Sequence, residues 1–200
     1  MGVALAVLAL ATSGCAGSSA AAPTSSVVAA PVTAAGLAPV VRALPAVMAQ
    51  SRPVRVLIPA IRVDSELMSL GLQADGTLQV PAAGFPAGWF TGAPTPGERG
   101  PAVIAGHVDW GGSPGVFYDL RKVVVGDEIS VVREDGSTAV FRVQQVGQFP
   151  KDAFPTDAVY GDLDHAGLRV ITCGGDFDHA AHSYVDNTVV FADLVTAPDH

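Results

Sequence analysis

Two residues of this chain combine a reactive group with a setting that exposes it. Cys173 closes the run Leu168-Arg169-Val170-Ile171-Thr172 and is followed by Gly174-Gly175. The β-rich run predicts a strand, which puts the cysteine at a strand end, projecting from a rigid element into a loop. The two glycines would leave the thiol unshielded and free backbone N–H groups to face an oxyanion. A thiolate is the reactive species, so such a cysteine needs a base or a cation beside it. His107 has the matching context. Ala102–Gly106 predicts a strand, and His107-Val108-Asp109-Trp110-Gly111-Gly112 opens a loop. A strand-end histidine suits proton transfer near neutral pH. The two residues are 66 positions apart (173 − 107), so only the fold can bring them together. The bland alternatives are an inert structural cysteine and a surface-loop histidine. Asp109 reads equally as an orienting partner of His107 and as a solvated loop carboxylate.

The elements that must position this pair are short and β-rich. Val54–Ile58 predicts a strand ended by Pro59, and Ile61–Val63 and Glu66–Leu72 follow. Asp75-Gly76 is a turn before Thr77–Val80, and Pro101–Gly106 is an apolar run of the buried kind. The clearest hairpin spans 127–146, with Ile129 and Val131 facing Val140, Phe141 and Val143 across Glu134-Asp135-Gly136-Ser137. Thr188–Val195 is a further strand, and Val116–Leu120 predicts one helical turn. With 22 Gly and 15 Pro, the pattern is that of an all-β barrel or sandwich.

Composition narrows the function. The 200-residue chain carries a formal charge of −8 and has no Lys/Arg cluster, which argues against a nucleic-acid partner. His179 and His182 stand at i, i+3 without further ligands at metal-binding spacing, and no acidic run has calcium-loop spacing. No metal and no cofactor are expected. His165 and His200 read as solvated.

Residues 1–15 form an apolar, uncharged leader of export-signal length, and 16–52 an Ala/Ser/Thr/Pro-rich linker interrupted by Pro31, Pro39, Arg42 and Pro45. The folded domain is expected over 53–197. Thr12-Ser13-Gly14-Cys15 resembles a bacterial lipobox, with Thr12 where Leu is usual. The resemblance implies a lipid on Cys15, and an uncleaved anchor helix is the alternative. Either places the domain on the extracellular face of the bacterial cell membrane.

Ala105-Gly106-His107-Val108, followed by Leu168–Cys173, resembles the catalytic pattern of sortases, and more narrowly the class F sortases of actinobacteria. Supporting stretches include Ile58–Asp64, Gly88-Trp89-Phe90, Val116–Leu120, Phe154-Pro155-Thr156, Val159-Tyr160-Gly161 and Tyr184–Val190. The resemblance runs from about residue 53 to 195. It implies a closed eight-stranded β-barrel with short helical turns, active as a monomer. It implies a transpeptidase in which Cys173 attacks a sorting signal of Leu-Pro-x-Thr-Gly (LPxTG) type between Thr and Gly, forming a thioester. His107 protonates the departing amine, and an amine of a peptidoglycan precursor resolves the thioester. Water in its place gives hydrolysis. Sortases carry an arginine at the start of the strand after the cysteine loop, and here Asn187 stands there. Either Asn187 fills the role, or Arg99, Arg121 or Arg142 reaches in, or activity is low. Two rivals follow. A papain-like cysteine hydrolase is disfavoured because its cysteine precedes its histidine and starts a helix. A non-catalytic sortase-fold surface domain would account for the missing arginine.

Overall fold

The computed structural model describes residues 47–195. The leader, Cys15, the linker as far as residue 46, and His200 lie outside the described residues. Ten strands are present: β1 (Pro53–Ile58), β2 (Val63–Leu70), β3 (Ala87–Phe90), β4 (Gly100–Ala105), β5 (Asp109–Trp110), β6 (Ser113–Pro114), β7 (Glu128–Arg133), β8 (Thr138–Pro150), β9 (Ala166–Asp178) and β10 (Ser183–Leu194). Eight close into a barrel in the order β1-β2-β3-β4-β9-β10-β8-β7, and β5-β6 form a separate two-stranded ribbon. The expected all-β, eight-stranded closed barrel is therefore the observed fold.

Alternation along each strand explains the core. Val56 and Ile58, Ile129 and Val131, Phe141 and Val143, Ile104, Leu168, Val170 and Val190 point inward and are essentially inaccessible. Each such side chain contributes about 1.5–3 kcal/mol on burial. Some intervening residues of β4, β9 and β10 are buried too. Val103, Ile171 and Val189 form a second cluster with Val159 of the short helix α1 (Thr156–Tyr160). Both faces of β4 and of the first half of β9 are therefore covered. This is why these two parallel neighbours read as continuous apolar runs.

Several expectations are corrected. The two predicted segments after Pro59 are one strand, β2. It is entered through a 3-10 turn (Pro59–Ile61) with Arg62 in the left-handed region at φ 56°. The predicted strand at Thr77–Val80 is a loop with a single bridge, Leu72 to Leu78. There the Gln79 side chain accepts from the Gly71 N–H at 2.8 Å, and the following Pro81 has no N–H to extend a ladder. The predicted helical turn appears as a run of turns ending in a 3-10 turn at Leu120–Lys122. Strand β3 and helix α1 carry too few residues to show a period. The hairpin turn is as read: Gly136 has φ 86°, and the Asp135 carboxylate accepts from the Ser137 N–H at 2.9 Å.

The backbone of residues 48–52 is tied to the barrel. The Met48 N–H donates to Gly97 O at 2.8 Å, the Arg52 carbonyl accepts from the Glu134 N–H at 2.8 Å, and the buried Arg133 guanidinium donates to Ala49 O.

Candidate active site

Strands β4 and β9 run parallel with a constant offset. Gly100 pairs with Ala166 and Ala105 with Ile171, a difference of 66 in both cases. The pairing continues past the end of β4: the Gly106 N–H donates to Ile171 O at 3.1 Å, and the Thr172 hydroxyl donates to Gly106 O at 2.8 Å. Counted on by the same 66, His107 corresponds to Cys173, two residues past the end of β4 at Ala105. On the other side of β9, antiparallel β10 places Asn187 directly opposite Cys173. Parity gives Cys173 and Asn187 the same facing. Leu168 and Val170 fill the barrel, so Ile171 and Cys173 face outward, as do Val103 and Ala105 before His107 and Val189 after Asn187. Cys173 and Asn187 thus stand on neighbouring strands at one level of the outer wall, and His107 lies in the loop that leaves β4.

The cysteine is not at a strand end. Strand β9 continues to Asp178, and Gly174 pairs with Asp186. The register slips by one between Asp186 (opposite Gly174) and Tyr184 (opposite Phe177), and Gly175 in this bulge has φ 75°. Glycine here gives the bulge its left-handed residue, since a Cβ at Gly175 would lie 2.5 Å from the Asp186 carboxylate. The sequence suggested a loop because glycines seldom continue a strand. The long β10 supplies the pairing that carries them.

His107 is held from several sides. Its Nε2 lies 2.7 Å from the Pro81 carbonyl. A carbonyl only accepts, so Nε2 carries the hydrogen, and in the neutral ring Nδ1 is the basic nitrogen. The ring packs against Trp110 of β5 (centroids 4.7 Å apart, tilted 50°). The His107 carbonyl accepts from the N–H of wholly buried Phe117 at 2.9 Å. Asp109 accepts a hydrogen bond from the Tyr184 hydroxyl. That bond, with burial and the carboxylate charge, pushes the phenol up to about 12. Pro81, Trp110 and Tyr184 were missed as site residues in the sequence, because a carbonyl and two aromatics carry no spacing signature of their own.

Cys173, a free thiol, lies on the wall between two cavities. The outer groove, about 780 Å³, is apolar, with Leu72, Val80, Phe90, Phe154 and Ile171 around Cys173 and Asn187. The second, about 240 Å³, opens at the barrel mouth and is polar, with Tyr118, Arg121, Gln148 and Tyr184 beside Cys173. Of the three arginines left open by the sequence, only Arg121 shares a cavity with Cys173. Arg142 pairs with Glu128 at 3.1 Å, and Arg99 lines a separate cavity with Tyr160 and Asp162.

Among the described residues, His165, His179 and His182 line neither cavity at Cys173. His179 packs on Phe177, and among the described residues no group of three or more His, Cys, Asp or Glu side chains is placed to hold a metal. His165 is not free in solvent as expected. Its ring nitrogens lie 2.8 Å from Asp164 and 3.0 Å from Asp193, whose carboxylates outweigh partial burial and raise its pKa.

A family model described as the sortase domain matches residues 56–195. Among solved structures, sortase C1 of Streptococcus agalactiae in complex with MTSET superposes with a TM-score of 0.58 at 19% identity, covering 75% of this chain and 72% of that one. A mutant of sortase C-1 from S. pneumoniae gives 0.58 at 21% identity, covering 77% and 71%. Sortase A of Corynebacterium diphtheriae gives 0.57 at 20% identity, covering 76% and 65%. No curated protein sequence matches this chain. These structural likenesses carry the barrel alone, and the sequence match extends over well over half of the 200 residues: the chain belongs to the sortase family.

Proposed function

We propose that this sortase is a class F cysteine transpeptidase that cleaves an LPxTG-like sorting signal between Thr and Gly and transfers the acyl part to an amine of a cell-wall precursor. The observation that carries the reading is the pairing of Cys173 with Asn187 at the wall of an apolar groove, with His107 in the loop that leaves the neighbouring strand β4. The groove's Leu, Val and Phe side chains suit the Leu-Pro part of such a signal. The Pro81 carbonyl leaves His107 Nδ1 as the base that takes the thiol proton. The thiolate adds to the Thr carbonyl, forming the C–S bond. His107 returns its proton to the nitrogen as the C–N bond breaks, leaving a thioester and a free amine. The incoming amine then forms a new C–N bond, the C–S bond breaks, and its proton returns through His107 to the thiol. Asn187 donates its amide N–H to the oxyanion, without charge. The leader and linker tether a monomeric domain to the outer face of the membrane.

The test uses the full chain with a fluorogenic Leu-Pro-x-Thr-Gly library, with and without an amine acceptor, and Cys173→Ala in parallel. Thr–Gly cleavage with an acyl adduct on Cys173, both lost in the variant, is expected. No cleavage and no adduct across the library would refute it. That outcome would favour a non-catalytic sortase-fold domain, which the neutral Asn187 at the usual arginine position keeps in view. An inert Cys173 in alkylation kinetics would mark the same outcome.

A further inference from the structure

The polar pocket at the barrel mouth is a different environment from the apolar groove, yet both end on Cys173. Its strongest donor is Arg121. The 3-10 turn carrying it is anchored by wholly buried Leu120 and by Phe117 just before it. Arg121 forms no ion pair among the described residues. Asp109 and Asp186 are engaged by the pocket's own Tyr184 hydroxyl and by Gln148 Nε2 at 2.7 Å, and Asp119, two residues before Arg121, by Lys122 at 2.9 Å. In a chain of net charge −8, a cation left open beside a nucleophilic sulfur is available to an anion brought by the substrate.

Which substrate brings it follows from the layout. With the acyl donor's apolar residues in the outer groove, the carbonyl carbon sits at Cys173. The departing and incoming amines share the remaining side, since one step is the reverse of the other. We propose that the mouth pocket is the acceptor subsite and that Arg121 holds a carboxylate of the incoming amine, so that the preferred nucleophile is an amine bearing a carboxylate. This rests on the transpeptidase reading and adds the chemistry of its second substrate. In the step, the neutral amine forms a C–N bond to the thioester carbon and the C–S bond breaks. One amine proton ends on the Cys173 sulfur, and the carboxylate stays paired to the guanidinium without reacting.

The experiment compares acceptors that differ only in charge. The full chain is acylated on Cys173 either by a cleaved Leu-Pro-x-Thr-Gly peptide or by p-nitrophenyl acetate, which needs no sorting motif. Glycine and glycinamide then compete at equal concentrations of free amine, and the two amide products are read by mass spectrometry. Roughly tenfold or more preference for glycine is expected, as for a charge-assisted contact, collapsing toward the glycinamide rate in Arg121→Gln. No preference in the wild type overturns the proposal. So does an equal loss in Arg121→Gln for glycine, glycinamide and water, which would assign the guanidinium to the oxyanion instead. If no peptide acylates Cys173 but the acetyl enzyme shows the preference, the sorting-signal reading fails and the subsite stands. If no acyl group is accepted, the ratio of iodoacetate to iodoacetamide alkylation of Cys173 replaces it, and a ratio unmoved by Arg121→Gln overturns the proposal.

Discussion

Replacing Gly115 by alanine should uncouple His107 from Cys173 without touching either. Gly115 is buried at the base of the β5-β6 ribbon, and its N–H donates to Val108 O at 2.9 Å. A Cβ there would lie 2.4 Å from the His107 carbonyl oxygen and 2.9 Å from the His107 Cβ. Ordinary contact begins at 3.4 Å, so the carbonyl must retreat by about 3.4 − 2.4 = 1.0 Å. It has nowhere free to go. It is bonded to the N–H of buried Phe117, and the ring is held by the Pro81 carbonyl and Trp110. Overpacking of this kind costs about 1–3 kcal/mol of stability, or roughly 2–12 °C in Tm for a domain of this size. A displacement of about 1 Å at a proton-transfer group costs on the order of a hundredfold in rate, about 2.7 kcal/mol in the barrier. The assay is kcat and KM for a cleaved peptide, with thermal melts on the same samples. The expected result is a fall in kcat with KM nearly unchanged and the protein still folded. A variant that melts lower but turns over at the wild-type rate would show that the placement of His107 does not limit the chemistry.

Three further outcomes are expected. Asn187→Ala should lower transpeptidation by at least about tenfold, as for loss of a neutral oxyanion donor, and full activity in that variant would remove Asn187 from the mechanism. Ultraviolet titration should find one tyrosine ionising at about 12, and Asp109→Asn, which removes the accepting carboxylate, should bring Tyr184 down toward the ordinary phenol range; three normally titrating tyrosines in the wild type would contradict the Asp109 bond. His165 has a raised pKa, so its two carboxylate contacts stabilise the fold fully below the ordinary histidine value, near 6.5, and are lost as pH rises through the folded-state pKa. The lowered pKa of Asp164 makes its share fade again as pH falls through that folded-state pKa, so His165→Ala should lower Tm more at pH 5.5 than at pH 8.5, and equal losses at both would refute the ion-pair account.

The barrel is legible in the sequence, and Cys173 and His107 stand out as candidates there, because their signals are local. The alternating apolar residues of β1, β7 and β8 and the Asp135-Gly136 turn report strand and hairpin directly. The apolar runs ending in His107 and near Cys173 report strands covered on both faces. What the sequence hid is set by pairing at long range. Gly174-Gly175 reads as a loop until β10 is laid beside it. Arg121 looks no different from Arg99 or Arg142 until the 3-10 turn turns it toward the barrel mouth. His165 reads as solvated because Asp193, 28 positions away, is invisible from its own neighbourhood. Asn187 was placed by counting from the strand after the cysteine, and the ladder sets it opposite Cys173 by the same count.

The fixed offset between β4 and β9 also governs when the site comes into being during folding. Local hairpins such as β7-β8 close over few residues, whereas the β4-β9 ladder must bring together segments 66 residues apart, with β5 to β8 lying between them. Loop-closure entropy makes such non-local pairing a late and slow event. Until it forms, the strand that carries Cys173 lacks its β4 neighbour and the loop that carries His107. On the proposed transpeptidase reading, nucleophilicity at Cys173 therefore serves as a reporter of barrel closure. In refolding experiments, fast alkylation of this sulfur should appear only after hairpin structure is already present, in step with the final gain of tertiary packing.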